Sequence, residues 1–311
     1  MDRARTVARM EGVYLAIPTF FNEDFSLNLE GQRRHIRFLL DGGVSEGNTV
    51  LLVAGAAGEF PCLTTSERLE VAEAVLGEAN GEVAIIVGAQ TTNQLEAIEI
   101  AKGAEKLGAD AIQISPPFYF DHSPDDVYEF VSGIAASVDL GVVVYPTPWT
   151  AADMSMDLIT RIVDEVPNIV SLKMATAEAW MFQAVIHRFR DRVCVVDNQL
   201  CPLTAYLSGA RGFNVHVTNY WPEYGINLMS LLKDGKYEEA QDEYLRVVIP
   251  YSELGGKIMK TTGGEGILDK LCCELVGLDS SPSRPPTREV RDLFRDSVRT
   301  MLEKTETPRL K

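Results

Sequence analysis

A lysine lies inside an apolar run that otherwise has the composition of a buried β-strand. Lys173 stands in IVSLKMAT, residues 169–176, between Leu172 and Met174. Burial among apolar side chains disfavours the charged ammonium, which lowers the pKa of a lysine and leaves a neutral amine able to attack a carbonyl carbon. The pattern therefore indicates a Schiff-base nucleophile. The alternative is a structural lysine that extends its amine to solvent or to an ion-pair partner.

Two further segments carry groups suited to carbonyl chemistry. Tyr145 stands near the end of LGVVVYPTP, where its phenol could move protons as a carbinolamine collapses. The segment AGAAGEF contains Gly55, Ala56, Ala57 and Gly58. Small residues and glycines allow a tight turn whose backbone N–H groups could bind a carboxylate. A core tyrosine and an ordinary turn are the alternatives for these two segments.

Polar side chains also follow the last two apolar runs of the series described below. In GFNVHVTN the two-residue period of a strand places Asn214, His216 and Thr218 on one face. We expect the apolar face to meet helices and the polar face to meet a substrate. Asp197 and Asn198 end the preceding run and could bind substrate hydroxyls. A histidine satisfied within the core and a carboxylate that caps a helix are the alternatives.

Eight apolar, β-rich runs alternate with helical patterns. The runs are residues 13–20, 48–55, 83–90, 111–117, 140–148, 169–176, 193–199 and 212–219. Thr64 and Glu67 form a capping box, and Ser123 precedes a proline at a helix start. Because parallel strands are buried on both faces and need helical crossovers, the pattern predicts an α/β protein with a (β/α)8 TIM barrel. A doubly wound open sheet is the alternative, but no G-x-G-x-x-G follows the first strand.

The end of the chain differs from the rest. From about residue 237 onward helical patterns continue without strands, and SSPSRPPT interrupts them before a last helix. We therefore predict a barrel domain over residues 1–235 and a C-terminal helical region over residues 236–311. In a TIM barrel the chemistry lies at the C-terminal ends of the strands, where Lys173 and Tyr145 are expected.

Composition excludes several classes of partner. The chain of 311 residues has 45 acidic against 29 basic residues and a net charge of −16, which disfavours nucleic acids and anionic membrane surfaces. No apolar run approaches the length of about 18 residues that a membrane span needs, and no signal peptide is recognised. The 5 cysteines lack C-x-x-C spacing, so reduced thiols and no metal site are expected. These features predict a cytoplasmic protein.

Four motifs, in order along the chain, resemble those of the dihydrodipicolinate synthase and N-acetylneuraminate lyase family of class I aldolases. They are GAAGEF, SPPFYF, YPTP and SLKMAT. The resemblance implies a homotetrameric barrel that binds pyruvate or another 2-oxo acid as a lysine imine, without a cofactor. It matches Lys173 to the imine lysine and Tyr145 to the catalytic tyrosine. It matches Tyr119 to a tyrosine that reaches into the active site of a neighbouring subunit.

Two positions depart from that family. Ala56 and Ala57 stand where members often have two hydroxyl residues that relay protons, and Trp149 and Thr150 stand where the synthases of lysine biosynthesis have an arginine. We therefore predict a lyase that cleaves or condenses a 2-oxo acid but is not an efficient dihydrodipicolinate synthase. One alternative is a dehydratase of a 3-deoxy-2-oxo sugar acid, which would use the same imine. Another is a binding or regulatory protein that has lost the chemistry.

Overall fold

Each of the eight apolar runs contains a strand in the computed structural model, which describes residues 1–151 and 153–310. The strands are β1 (Gly12–Ala16), β2 (Thr49–Val53), β3 (Ala84–Gly88), β4 (Ala111–Ile114), β5 (Gly141–Val144), β6 (Ile169–Met174), β7 (Cys194–Asp197) and β8 (Gly212–Asn214). All neighbouring strands are parallel and pair in sequence order, and β8 closes the barrel onto β1. The (β/α)8 barrel is confirmed, and the doubly wound open sheet was wrong.

One α-helix precedes the first strand, an α-helix follows every strand, and three more follow the barrel. The helices are α1 (Arg3–Arg9), α2 (Leu29–Asp41), α3 (Thr65–Ala79), α4 (Gln94–Leu107), α5 (Pro124–Ala135), α6 (Met156–Glu165), α7 (Ala179–Phe189), α8 (Pro202–Ser208), α9 (Pro222–Lys233), α10 (Tyr237–Thr261), α11 (Gly266–Val276) and α12 (Arg291–Lys304). The segment 280–287 is free of helix, as its prolines and serines predict. Within the described ranges no helix is both long and apolar enough to cross a membrane.

The predicted helix starts are present. The Thr64 hydroxyl accepts a hydrogen bond from the Glu67 backbone N–H, and the Glu67 carboxylate accepts one from the Thr64 backbone N–H. Ser123 forms the same reciprocal pair with Asp126 at the start of α5. These contacts satisfy backbone N–H groups that have no partner inside the helix, which fixes where each helix begins.

Alternation along β6 decides which way the lysine points. Leu172 and Met174 belong to the apolar layer between the sheet and the helices. Ser171 and Lys173 therefore point into the barrel, and the Ser171 hydroxyl donates to the Cys194 carbonyl on β7. A register shift between β5 and β6 lies beside Val170, which also joins the inner core. The end of β6 thus carries the amine to the inside of the barrel mouth.

The eighth run is only partly a strand. β8 ends at Asn214, and residues 216–219 form a short 3-10 helix, so the two-residue alternation stops there. Asn214 and His216 still face the barrel mouth, but Thr218 is fully buried under α9. A side chain at Gly225 of α9 would come within 2.2 Å of the Thr218 hydroxyl. The expectation that Thr218 faces a substrate was wrong because the backbone turns after the strand.

Candidate active site

A cavity of about 290 Å³ lies at the C-terminal ends of the strands. Lys173, Tyr145, Asn198 and Asn214 reach it from the barrel, while α10 and the start of α11 close its other side. A second cavity of about 560 Å³ adjoins it and is more apolar, with Phe60, Phe118 and Trp149 in its wall. The two cavities share several lining residues, which are Ala56, Tyr145, Trp149, Met259, Gly264 and Glu265.

The Lys173 amine is buried but has no ion-pair partner among the residues that the structure describes. Its side chain is packed so that only 4% of the residue is exposed. Nζ lies 4.8 Å from the ring centroid of Tyr14 and 4.5 Å from that of Tyr145, and it makes no hydrogen bond within the described residues. Burial lowers the pKa of Lys173 to about 8, although the negative charge of Glu265 acts in the opposite direction. About a tenth of the amine is therefore neutral and nucleophilic at pH 7, far more than for a lysine of ordinary pKa.

The Tyr145 phenol lies beside this amine and keeps its proton. Its oxygen accepts a hydrogen bond from Nδ2 of Asn198 at 3.0 Å. Burial raises the pKa of Tyr145 well above its usual value, the charge of Glu265 raises it further, and the contact with Asn198 opposes both. The ring of Trp149 meets Tyr145 edge-on, with centroids 6.0 Å apart. The phenol is thus placed to donate a proton at the carbon that the amine attacks.

The loop after β2 presents alanines to the cavity and uses its glycines elsewhere. Ala56 and Ala57 line the cavity, but Gly55 and Gly58 do not. A Cβ at Gly58 would lie 3.1 Å from the Ala54 backbone and from the Ile17 carbonyl, so this position needs a small residue. The two glycines therefore shape the turn and do not contact a substrate through the cavity wall, which corrects the prediction for them.

Asp197 and Asn198 are adjacent in sequence but have different roles. The Asp197 carboxylate is buried and accepts hydrogen bonds from the backbone N–H groups of Gln199 and Cys201, at 2.7 and 3.0 Å. It caps the turn into α8 and does not line either cavity, so its predicted contact with substrate was wrong. Burial raises the pKa of Asp197 to about 6 against those hydrogen bonds. Asn198 does line the cavity, and its contact with substrate stays a prediction.

His216 reaches the cavity as one member of a connected group. Its Nδ1 lies 2.8 Å from Oδ2 of Asp269, and the Tyr251 hydroxyl donates to Oδ1 of the same carboxylate at 2.7 Å. Asp269 has no exposed surface, and the rings of His216 and Tyr251 stack with centroids 6.1 Å apart. Because a carboxylate only accepts, Nδ1 carries the hydrogen and Nε2 has a free lone pair when the ring is neutral.

Tyr119 lies outside both cavities. Its residue is 87% exposed, and its φ of 92° is strained for a residue with a side chain. Phe120 beside it is also exposed, and the two rings meet edge-on. Within this subunit Tyr119 has no part in the site, and a role in a neighbouring subunit stays a prediction.

Several cavity residues are not among those predicted from the sequence. Gln113 is a polar residue in the apolar run of β4, and it accepts a hydrogen bond from the buried Tyr14 hydroxyl at 2.7 Å, so both could have been noticed. Tyr251, Glu265 and the supporting Asp269 carry no local signal, because α10 and α11 bring them to the barrel from far along the chain.

Among the residues that the structure describes, no group of three or more His, Cys, Asp or Glu could hold a metal ion.

Residues 9–305 match the model of the dihydrodipicolinate synthetase family. The chain belongs to this family. It is 30% identical over 301 residues to the 4-hydroxy-tetrahydrodipicolinate synthase of Methanopyrus kandleri, a match that covers 95% of this chain and 96% of that protein. Relatives of this kind make the protein a lyase of the aldolase type, which confirms the predicted class of enzyme and does not favour a binding protein that has lost the chemistry.

Solved structures agree with the fold. The dihydrodipicolinate synthase of Aquifex aeolicus superposes with a TM-score of 0.86 at 23% identity, over 97% of this chain and all of that chain (100%). CdNal of Clostridium difficile, solved in complex with mannosamine, superposes with a TM-score of 0.84 at 25% identity, over 95% of this chain and 99% of that chain. Both superpositions cover nearly the whole chain, so they support the barrel together with its C-terminal helices.

Proposed function

We propose that the protein is a class I lyase that binds pyruvate or another 2-oxo acid as an imine of Lys173 and makes or breaks a carbon–carbon bond through the enamine. One observation carries the proposal. The Lys173 amine is buried, faces a closed-in cavity, and lies against Tyr145 without a hydrogen-bond partner in the described chain. A lysine in this state is a nucleophile, whereas a structural lysine is normally paired.

The loop after β2 supplies the site for the substrate carboxylate. Ala56 and Ala57 line the cavity, and their backbone N–H groups donate no hydrogen bond within the described residues. Thr19 holds the loop by donating to the Gly58 carbonyl at 2.8 Å. Backbone N–H groups fixed in this way bind an anion without a basic side chain. The carbonyl carbon of the 2-oxo acid then lies toward the Lys173 amine.

Tyr145 acts while the imine forms. Attack by the amine gives a carbinolamine, whose hydroxyl leaves as water when the Tyr145 phenol donates its proton. Asn198 orients the phenol through the hydrogen bond to its oxygen. The resulting iminium accepts the electron pair from the bond that breaks next, as either an aldol cleavage or a dehydration requires. The imine step alone does not separate these two reactions.

Polar residues in the cavity wall favour a substrate with a hydroxylated chain. Asn198, Asn214 and His216 line the same cavity as Lys173. Within the described chain, Lys173 and His216 are the only basic side chains in the walls of the two cavities. Amide and imidazole groups recognise hydroxyls, and there is no arginine to bind a second carboxylate. A 2-oxo sugar acid or its aldol precursors meet these requirements, with dehydration as the alternative outcome.

Reductive trapping tests the proposal. Protein incubated with pyruvate and sodium borohydride should gain the mass of one reduced adduct, and peptide mapping should place it on Lys173. The Lys173→Ala variant should gain none. No adduct with any small 2-oxo acid would contradict the proposal, and an adduct at full yield on Lys173→Ala would assign the chemistry to another lysine.

Dihydrodipicolinate synthesis is the second candidate, because the Methanopyrus kandleri relative has that named activity. Its second substrate, aspartate semialdehyde, carries a carboxylate. Trp149 and Thr150 occupy the predicted arginine position, where the Thr150 hydroxyl donates to that of Thr147 at 2.8 Å. Arg211 does not replace the arginine, since it precedes β8 at the opposite end of the barrel and donates to the Ala210 carbonyl.

We expect synthase activity to be weak. Loss of one charge-assisted contact costs on the order of 2–3 kcal/mol, which is about 30- to 150-fold in specificity. The assay is pyruvate plus aspartate semialdehyde with purified protein, compared with Thr150→Arg. A wild-type kcat/KM of about 10⁴ M⁻¹s⁻¹ or more, in the ordinary enzyme range, would make this candidate the function.

Assembly as a homotetramer is part of the proposal. The exposed, strained Tyr119 and its neighbour Phe120 form an apolar surface that a second subunit would cover. Light scattering of active protein should give a species larger than a monomer, and Tyr119→Ala should lower activity. A fully active monomer would rule out a contribution of Tyr119 to a neighbouring site.

A further inference from the structure

We propose that His216 is a catalytic residue, whose Nε2 takes the proton from the hydroxyl on C4 of a 2-oxo acid held as an imine at C2. This inference rests on the proposed imine at Lys173 and adds to it a proton acceptor in the wall of the same cavity. Asp269 and Tyr251 are then positioning residues, which hold the ring and its tautomer.

The geometry gives His216 one defined role. Asp269 is buried and lies between the His216 ring and the Tyr251 hydroxyl, so both oxygens of the carboxylate are occupied. The ring cannot turn without breaking the contact from Nδ1, and its stacking on Tyr251 holds its plane. Nε2 is consequently the ring nitrogen that remains for a substrate, and His216 is part of the cavity wall that also contains Lys173.

The charges around the His216 ring raise its affinity for a proton. Burial lowers the pKa of His216, but the charge and hydrogen bond of Asp269, together with the charge of Glu265, outweigh it, so the pKa is raised. Lys173 opposes this rise with its positive charge. Tyr251 and Tyr220 complete the surroundings, and their own pKa values are raised by burial, so both phenols stay neutral.

Other groups at the cavity are less suited to this proton. Ala56 and Ala57 have no hydroxyl, Tyr145 lies beside the Lys173 amine and serves the imine carbon at C2, and Lys173 is consumed by the imine. Glu265 also lines the cavity, but it is exposed and no partner fixes its carboxylate within the described residues. His216 combines a free lone pair with a fixed orientation, which is what a general base needs.

The step balances within the substrate and the protein. Nε2 accepts the proton of the C4 hydroxyl. The electron pair of that O–H bond forms the π bond of the new C4 carbonyl. The C3–C4 bond breaks, its pair forms the C2–C3 double bond of the enamine, and the C2–N π pair moves onto nitrogen. The His216 imidazolium then gives its proton to C3. Hydrolysis of the restored imine releases the shortened 2-oxo acid and the free Lys173 amine.

Three variants separate catalysis from structure. His216→Asn retains a side-chain N–H that can reach Asp269 but lacks Nε2. Asp269→Asn retains the shape but removes the charge, and Tyr251→Phe removes one hydrogen bond. His187→Asn, at an exposed histidine on α7, is the matched control. The probes are 4-hydroxy-2-oxopentanoate, followed by release of pyruvate, and pyruvate with borohydride for imine formation.

We expect His216→Asn to lower kcat for cleavage about 100-fold or more, as loss of a positioned general base does, while the yield of the pyruvate adduct stays within about twofold of wild type. Wild-type kcat should fall as the pH drops through the pKa of His216. Asp269→Asn should lower kcat and move this acid limb to lower pH, since burial then dominates. Tyr251→Phe should have a smaller effect in the same direction, and His187→Asn none.

The outcomes are distinguishable. A rise in KM with unchanged kcat in His216→Asn would assign His216 to binding only and overturn the inference. An acid limb that stays in His216→Asn but disappears in Glu265→Gln would assign the proton to Glu265 instead. Wild-type protein that forms the adduct but does not cleave the probe would also overturn it while leaving the imine intact. Wild-type protein without any adduct would instead contradict the proposed function.

Discussion

Two lysines of this protein are buried to nearly the same degree but differ in the hydrogen-bond and ion-pair partners of the amine. Lys173 on β6 is 4% exposed, and Lys270 on α11 is 1% exposed. Burial lowers the pKa of each to about 8, and each amine lies over an aromatic ring. The pKa by itself therefore does not tell a nucleophile from a structural lysine.

The groups that contact each amine do distinguish the nucleophile from the structural lysine. Lys270 donates to the Glu59 carboxylate and to the Pro282 carbonyl, so its amine is saturated by an ion pair and a hydrogen bond. Glu59 also accepts from the Ser283 hydroxyl and the Arg284 backbone N–H, at 3.0 and 2.9 Å. This network joins the loop after β2 to the C-terminal helical region. Lys173 faces the cavity that Tyr145 and His216 also line, where a substrate carbonyl can approach.

The largest expected difference between the two is in turnover. Lys173→Met should lower kcat on the order of 10⁴-fold or more, because loss of a covalent nucleophile removes the reaction path. Lys270→Met should retain kcat within about tenfold per folded molecule, since its amine does not reach the cavity. Pyruvate release from 4-hydroxy-2-oxopentanoate, normalised to native protein by circular dichroism, is the measurement. Equal losses of kcat in the two variants would show that the two lysines do not differ in their part in catalysis.

Stability should change in the opposite sense. Lys270→Met leaves Glu59 buried without its cation and should lower the free energy of unfolding by about 3–5 kcal/mol. Lys173→Met removes a desolvated amine that has no hydrogen-bond partner in the described chain, so the free energy of unfolding should rise. Urea denaturation of each variant measures both effects.

A double variant serves as the control for the ion pair. Glu59→Gln combined with Lys270→Met should lower the free energy of unfolding by less than the sum of the two single variants, because neither charge is then left unpaired. Strict additivity would mean that the two side chains stabilise the fold independently.

The pH dependence of imine formation sharpens the comparison further. Only the neutral Lys173 amine attacks, so the trapping rate with pyruvate should rise about tenfold per pH unit up to a midpoint near pH 8. For an exposed lysine the rate would keep rising to a midpoint near pH 10.5. Because the folded pKa lies below the ordinary value, folding releases a proton between these pH values. The cost of burying the ammonium is therefore full below pH 8 and disappears as the pH rises toward 10.5.

The smallest effect concerns Glu265. Its charge raises the pKa of Lys173 but is not among the groups that act on Lys270, where Glu59 is the raising partner. Glu265→Gln should move the trapping midpoint to lower pH by less than about one unit, which speeds trapping severalfold at pH 7. Trapping rates over a pH series give the midpoint. A midpoint that moves to higher pH would show that the Glu265 charge does not reach the amine.

Individual residues show which parts of the site could be predicted from the sequence and which could not. Lys173 and Tyr145 were predicted because a polar group inside an apolar strand run is conspicuous and β-strand alternation is local. Thr218 and Asp197 were assigned to the wrong surroundings, because a 3-10 turn ended the alternation and two backbone N–H groups captured the carboxylate. Both errors arose at strand ends, where loop geometry replaces the regular period.

The sequence by itself determined the barrel, the helix starts and the direction of Lys173, since strand periodicity, capping boxes and glycine turns act between residues close in the chain. Only the tertiary structure decided which lysine is free. Glu59 and Lys270 meet across 211 positions, and Asp269 meets His216 across 53. Burial and electrostatic pairing depend on distance in space, which closure of the barrel and packing of α10 and α11 determine.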